Sequence, residues 1–291
     1  MDWSQTERRD SNAGAMPRRL CREAWRRGGG QAEEAEADES RGRIPPSPPR
    51  FMEVLFISLI TFIAATVGTT TGFGTSTLMI PILVMFLPPI ETIFLVAIIH
   101  WFGDIWKIVL FRSGFHLRLL LLFGLVGLAT SYVGASLTLG VNEPLFLRLL
   151  GLFVAGYALF LVFQPKWKVP AGDLTAVTGG ALSGFFAGLF GIGGAIRSLF
   201  LTIFDLPKAM YLATAGAIGL LVDSTRIITY FTEGVTLPNR LWWGLFLFIP
   251  ISFVGAQTAK KIVDKIPQPM FRAVVAFLLF VIGLKLLLFP S

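Results

Sequence analysis

A stretch of 37 residues, from 54 to 90, contains no Asp, Glu, Lys or Arg. As one α-helix it would be about 55 Å long at 1.5 Å per residue, whereas the hydrocarbon core of a bilayer is about 30 Å thick. The stretch must therefore fold as two segments. Residues 68–74, Gly-Thr-Thr-Thr-Gly-Phe-Gly, are poor helix formers and lie between them. This pattern predicts a first helix near 53–68 and a short one near 75–87.

The rest of the chain continues as apolar segments with short breaks. They predict helices near 89–111, 116–138, 144–163, 173–190, 195–204, 207–231, 239–259 and 268–289. Charged residues make up only 15% of the chain, against about 25% in soluble domains. This excludes a disordered protein, a nucleic-acid binder and an ordinary cytosolic enzyme. It predicts an all-α, polytopic helical membrane protein, multi-pass in the cell membrane, with the lipid bilayer as a partner.

The N-terminal region has a different composition. Residues 1–50 hold ten of the 25 basic residues, all of them Arg, and nine of the 18 acidic residues. Their composition predicts that residues 1–51 are a disordered Arg/Pro-rich tail. The alternative is that translation starts at Met52, where the first hydrophobic segment begins.

The second half of the chain repeats the first. The pairs that match at an offset of 119 residues are Gly72-Phe73-Gly74 with Gly191-Ile192-Gly193, Pro88 with Pro207, Asp104 with Asp223, and Lys107 with Arg226. Duplication with interrupted helices is typical of secondary transporters. It predicts two membrane repeats, 52–165 and 166–291, each with a glycine-interrupted broken helix.

Loop charge predicts how the two repeats are oriented, because basic residues concentrate on the cytoplasmic side. The residues assigned to that side are Arg112, Arg118, Lys166, Lys168, Lys208, Lys260, Lys261 and Lys265. Arg148 and Arg240 then lie outside. The two helix segments on either side of each glycine break then have to enter and leave on the same side of the membrane. Three membrane crossings follow in each repeat. Because three is an odd number, the two repeats are inverted relative to each other.

The two glycine breaks are the candidate substrate-binding site. A helix that starts at membrane depth directs its free N–H groups and positive dipole end at the midplane, where they favour an anion. The substrate-binding residues predicted on this basis are Gly72, Gly74, Thr75, Ser76, Gly191, Gly193, Gly194 and Arg197. The guanidinium of Arg197 offers a planar fork for an oxyanion. The alternatives are that the glycines only allow tight helix packing and that Arg197 extends to the cytoplasmic surface.

Two acid–base pairs lie inside apolar helices. Asp104 with Lys107, and Asp223 with Arg226, are three residues apart and therefore share a helix face. They act either as a proton or substrate relay or as structural salt bridges that join the repeats, and both interpretations stay open. His100 lies one turn before Asp104 on the same face. A single His is more often structural, so His100 is not counted among the predicted site residues.

Enzyme signatures are absent from the sequence. It has no HExxH, no GxSxG, no Walker phosphate loop and no cysteine pair. We therefore expect no catalytic residues, no metal and no cofactor, and coupling to an ion gradient rather than to ATP hydrolysis in this chain.

Two glycine-rich breaks, each followed by a short helix and a Pro-initiated helix, resemble the sulfite exporter TauE/SafE family of membrane transporters. The matching stretches are 68–109 and 184–230, and the resemblance extends over most of 52–289. The family pattern reads Gly-x-Gly-Gly with a proline several residues on. Repeat one has Thr75 in place of the last glycine and keeps Pro81, whereas repeat two keeps all three glycines and has Phe200 at the proline position. The resemblance implies export of sulfite or small organosulfur anions.

The expected function is therefore secondary transport of a small anion such as sulfite or an organosulfonate, in the direction of export. The alternatives are an anion channel and a non-transporting membrane scaffold. The expected partners are the small anionic substrate and the bilayer, with no nucleic acid, and a homo-oligomer stays open.

Overall fold

The computed structural model describes residues 50–111, 114–163, 169–262 and 268–290. Every regular element in these residues is helical. The α-helices are α1 Arg50–Thr71, α2 Ser76–Leu83, α3 Pro89–Leu110, α4 Leu117–Leu139, α5 Glu143–Phe163, α6 Asp173–Phe190, α7 Gly193–Leu201, α8 Lys208–Thr232, α9 Asn239–Ile262 and α10 Gln268–Leu288, with a 3₁₀ turn Thr202–Phe204 after α7. Seven of them, α1, α3, α4, α5, α6, α8 and α9, are long and apolar enough to cross a membrane. The predicted all-α, polytopic membrane class is confirmed.

Some sequence predictions fall on residues outside this description. Residues 1–49 of the predicted tail are among them, and so are the loop residues Arg112, Lys166, Lys168 and Lys265. Helix α1 begins at Arg50, so the boundary predicted at 51/52 lies within its first turn.

The first break is shorter than the sequence predicts. Helix α1 continues through Gly68 to Thr71, and the turn itself is made by Gly72 and Gly74, whose φ angles are 78° and 83°. Gly68 allows the backbone of α1 to lie close to the backbone of Gly74, because a methyl group added at Gly68 would lie 2.5 Å from it. The Gly74 N–H donates to the Gly68 carbonyl at 3.2 Å. Helix α2 ends at Leu83 rather than near residue 87.

Helices α4 and α6 pack through glycines. A methyl group added at Gly184 would collide with the carbonyl of Gly127, and one added at Gly188 would collide with the carbonyl of Ser131. Helices α5 and α10 approach each other in the same way at Gly151 and Gly283. Small residues let membrane helices approach backbone to backbone, where dispersion contacts hold them together.

We expect Gly184→Ala to destabilise the protein by about 1–3 kcal/mol, since overpacking costs roughly that much. Gly156→Ala is the matched control, because Gly156 lies on the exposed face of α5 with no atom within 4 Å of the added methyl. The measurement is the temperature at which each variant loses its monodisperse peak in detergent. Equal melting of the two variants would mean that the α4–α6 contact is looser than described.

Polar contacts show which helix ends lie together. Arg118 at the start of α4 pairs with Asp173 at the start of α6 at 2.6 Å, and Lys260 near the end of α9 donates to the Leu110 carbonyl at 2.9 Å. Because α4 follows α3 closely in the sequence, the ends of α3 and α9 and the starts of α4 and α6 lie at the same end of the helix bundle. At the start of α9, Arg240 pairs with Glu53 of α1 at 3.0 Å. This grouping matches the sides that loop charge predicts, and the orientation across the membrane stays a prediction.

Candidate functional site

Six ionisable side chains from three helices meet in the protein interior. Each is at most 3% exposed, and helices α3 and α8, which pack against each other, carry five of them. The members of this buried charge cluster are His100, Asp104 and Lys107 of α3, Arg197 of α7, and Asp223 and Arg226 of α8. Five of these six residues are the charged residues that the sequence singled out.

The two predicted acid–base pairs are formed. Lys107 Nζ lies 2.6 Å from Asp104 Oδ1, and Arg226 Nη2 lies 3.0 Å from Asp223 Oδ1. The second guanidinium nitrogen of Arg226 donates to the carbonyl of Ala187 on α6 at 3.0 Å. Each pair lies within one helix, so neither pair alone joins the two halves of the chain.

His100 makes the contact between helices α3 and α8 that sequence reasoning missed. Its Nδ1 lies 2.5 Å from Asp223 Oδ2 and 3.5 Å from Asp104 Oδ2. Its Nε2 has no hydrogen-bond partner in the part of the chain that the structure describes. Nε2 faces the first break, where a methyl group added at Gly74 would lie 2.5 Å from it. The available signal was the four-residue spacing from His100 to Asp104, which places both on one helix face.

Arg197 is buried, with 2% of its surface exposed, so it does not extend to the surface. Its Nη2 lies 3.9 Å from Asp104 Oδ2, which is beyond hydrogen-bond length, and its Nε has no hydrogen-bond partner among the described residues. Asp104 Oδ2 and the guanidinium both occupy the space left by Gly219 of α8, where an added methyl would collide with Asp104 Oδ2 and lie 2.8 Å from both Nη atoms. Gly219 lies 119 residues after His100, the offset of the sequence matches, and its lack of a side chain makes room for Arg197 and Asp104.

The two glycine breaks touch each other beside the cluster. A methyl group added at Gly194 would collide with the Phe73 carbonyl and lie 3.4 Å from the Gly74 Cα, and one added at Gly191 would lie 2.7 Å from Arg226 Nη1. Ser76 is the first residue of α2 and Thr75 precedes it, and the two are buried with 1% exposure each. Three of the predicted residues, Gly74, Gly191 and Gly194, therefore lie at the contact between the breaks or directly beside charged groups.

Two of the predicted glycines face packing neighbours instead. A methyl group added at Gly193 would lie 2.5 Å from Ala187 Cβ and from the Ser183 carbonyl, both on α6. One added at Gly72 would lie 2.6 Å from the Tyr211 hydroxyl of α8. The surroundings of these two glycines therefore fit tight helix packing better than ligand binding.

The charge balance of the cluster favours an anion. Two carboxylates face one ammonium and two guanidinium groups, so the net charge is +1 with His100 neutral. Ligand atoms of His100, Asp104 and Asp223 do lie within 4.8 Å of one another. However, Lys107 and Arg226 each take one carboxylate oxygen, and a further cation would add to the positive excess. The arrangement therefore suits an oxyanion better than a metal ion.

The sequence matches the family described as Sulfite exporter TauE/SafE over residues 57–286. The chain belongs to the sulfite exporter TauE/SafE family. The match covers both glycine breaks and all six residues of the buried charge cluster, and it confirms the resemblance drawn from the glycine motifs. No curated protein and no solved structure matches the chain. Together with the seven apolar helices, membership makes this TauE/SafE protein a multi-pass membrane protein of a transporter family.

Proposed function

We propose that this TauE/SafE protein is a secondary transporter that exports a small anion such as sulfite or an organosulfonate, and that it binds the anion at the buried charge cluster. The observation that carries the proposal is Arg197, a buried guanidinium whose Nε is unpartnered among the described residues and which belongs to a cluster of net positive charge. A buried cation without full compensation is costly, and a bound oxyanion removes that cost.

The short helices support the same location. Helices α2 and α7 begin beside the point where Gly194 meets Gly74. The first N–H groups of a helix have no partner within it, and they carry the positive end of the helix dipole. Two such ends near Arg197 add hydrogen-bond donors that are suited to a small oxyanion.

The helix contacts support two repeats of opposite orientation, 52–165 and 166–291. Helix α4 packs on α8, and its repeat counterpart α9 packs on α3, while α3 and α8 pack on each other. A binding site between two such repeats is exposed to alternate sides when one repeat rocks against the other. We expect coupling to an ion gradient, because the sequence has no Walker phosphate loop for ATP hydrolysis.

We expect a cysteine placed beside Lys261 to be labelled only from the cytoplasm and one beside Arg240 only from outside, because loop charge sets orientation. The background is Cys21→Ser, since Cys21 is the single cysteine of the chain. The measurement is reaction with a membrane-impermeant maleimide in intact cells and in inverted vesicles. Labelling in the opposite sense would overturn the predicted topology, and labelling of both positions from one side would mean that α9 does not cross the membrane.

Flux into proteoliposomes tests the function itself. Sulfite, methanesulfonate, sulfate and chloride are offered as labelled or fluorescently detected anions, with protein-free liposomes as the control. Counterflow of one of the oxyanions is the expected result for a carrier. Electrogenic leak without counterflow would replace the proposal with an anion channel, and the absence of flux for all four anions would support a scaffold.

A further inference from the structure

We propose that His100 takes up a proton when the anion binds to Arg197, so that proton binding and anion binding at the buried charge cluster are linked. This inference rests on the proposed function, because it assumes that Arg197 is the anion-binding group. It adds a proton to the anion-binding step and names the residue that holds it.

The surroundings of His100 are suited to holding a proton. Its Nδ1 lies on Asp223 Oδ2 and near Asp104 Oδ2, so this nitrogen carries a hydrogen that it donates to a carboxylate. Nε2 then keeps its lone pair, and it has no partner among the described residues. Histidine is the side chain that most often changes charge near neutral pH. The added proton binds to Nε2, and the same N–H bond breaks when the proton leaves to water.

Charged groups face His100 from every helix that contributes to the cluster. Asp104 and Lys107 lie on its own helix α3, Asp223 and Arg226 on α8, and Arg197 on α7. The net charge of the cluster is +1 with a neutral imidazole, so it rises to +2 with an imidazolium. An anion that binds next to Arg197 compensates that additional charge in a region of low dielectric, where charges interact strongly.

Asp104 Oδ2 links the two sites. It lies 3.5 Å from His100 Nδ1 and 3.9 Å from Arg197 Nη2, and it makes no hydrogen bond in the described part of the chain. When the guanidinium binds an anion, this carboxylate loses part of its compensation by Arg197. A positive charge on His100 replaces that compensation. The linkage is reciprocal, so a proton on His100 must strengthen anion binding by the same factor.

The variant His100→Asn tests this linkage. The Asn Nδ2 group takes the place of His Nδ1 and still donates to Asp223, but it cannot gain a proton. His116→Asn is the matched control. His116 is the only other histidine in the sequence and caps the start of α4, where it accepts from the Leu119 N–H at 3.3 Å. Asn is a preferred residue at that position.

The measurement is the dissociation constant of methanesulfonate, and in parallel of sulfate, at about pH 5.5 and about pH 8.5. Methanesulfonate keeps the same charge over this range, so the pH dependence belongs to the protein. We expect binding to be about fivefold or more tighter at the lower pH, the lower end of typical coupling between sites. The same dependence is expected for His116→Asn. In His100→Asn it should fall below about twofold.

A second measurement uses only the unchanged protein, in case His100→Asn does not fold. Methanesulfonate or sulfate is added to the protein in weakly buffered detergent at about pH 7 with a pH indicator dye. Net proton uptake upon anion binding supports the inference. Proton release, or binding with no proton change, overturns it and leaves the proposed function intact. Failure of both anions to bind at either pH counts against the proposed function and against this inference with it.

Discussion

Replacing Arg197 with Ala raises the anion concentration at which uptake is half-maximal about tenfold or more, while the protein still inserts into the membrane. A charge-assisted hydrogen bond contributes roughly 1.5–3 kcal/mol, which corresponds to that factor or more in affinity. Insertion is preserved because the one ion-pair contact of the guanidinium among the described residues is with Asp104 at 3.9 Å, too long for a strong ion pair. The measurement is anion uptake into vesicles against concentration, normalised to inserted protein.

Two further variants separate charge from geometry. Arg197→Lys should restore only part of the affinity, since an ammonium group lacks the planar fork that binds two oxygens of an oxyanion. Arg240→Ala is the control for loss of an arginine, because the Arg240 side chain is 43% exposed and pairs with Glu53 away from the cluster. Its anion concentration for half-maximal uptake should stay within about twofold of that of the unchanged protein. Wild-type kinetics in Arg197→Ala would place the binding site elsewhere.

Replacing Asp223 with Asn strongly reduces the amount of folded protein in detergent. Arg226 would lose its carboxylate partner while it remains fully buried, with 0% of its surface exposed. Removing one partner of a buried ion pair costs on the order of 3–5 kcal/mol. The measurement is the fraction of protein that stays monodisperse after heating.

A double variant distinguishes loss of charge balance from loss of local packing. Asp223→Asn combined with Arg226→Gln removes both charges and should recover part of the stability, because Arg226 no longer leaves a buried positive charge without its carboxylate. Asp173→Asn is the surface control, since Asp173 is 58% exposed and pairs with Arg118. Exposed pairs contribute about 0–1 kcal/mol. If Asp223→Asn alone melts like the unchanged protein, the pair has no structural role and the relay interpretation gains support.

Helix positions were predictable because a membrane helix is a local property of the sequence. A run of about 20 apolar residues has to satisfy its own backbone hydrogen bonds in lipid, whichever neighbours it has. The predicted helix near 173–190 agrees with α6, and the prediction near 89–111 differs from α3 by one residue at its end. The first break was predicted three residues too early, because Gly68 resembles a helix breaker in the sequence and packs within a helix in the structure.

The candidate site was predictable where it depends on spacing along one helix. Asp104 with Lys107, and Asp223 with Arg226, are three residues apart, and that spacing alone places each pair on one face. Arg197 was also predictable, since a charged residue in an apolar segment is costly and therefore conspicuous.

The sequence by itself determined the membrane class, the approximate positions of the helices and the two acid–base pairs. Only the tertiary structure decided that His100 meets Asp223, which lies 123 residues away, and that Arg197 lies above Gly219. It also decided that Gly194 contacts the other break while Gly193 packs on α6. The physical reason is that residue spacing specifies which face of a helix a side chain occupies. Which neighbour that face meets depends on how helices from the two halves of the chain rotate and approach, and close contacts between backbones set this.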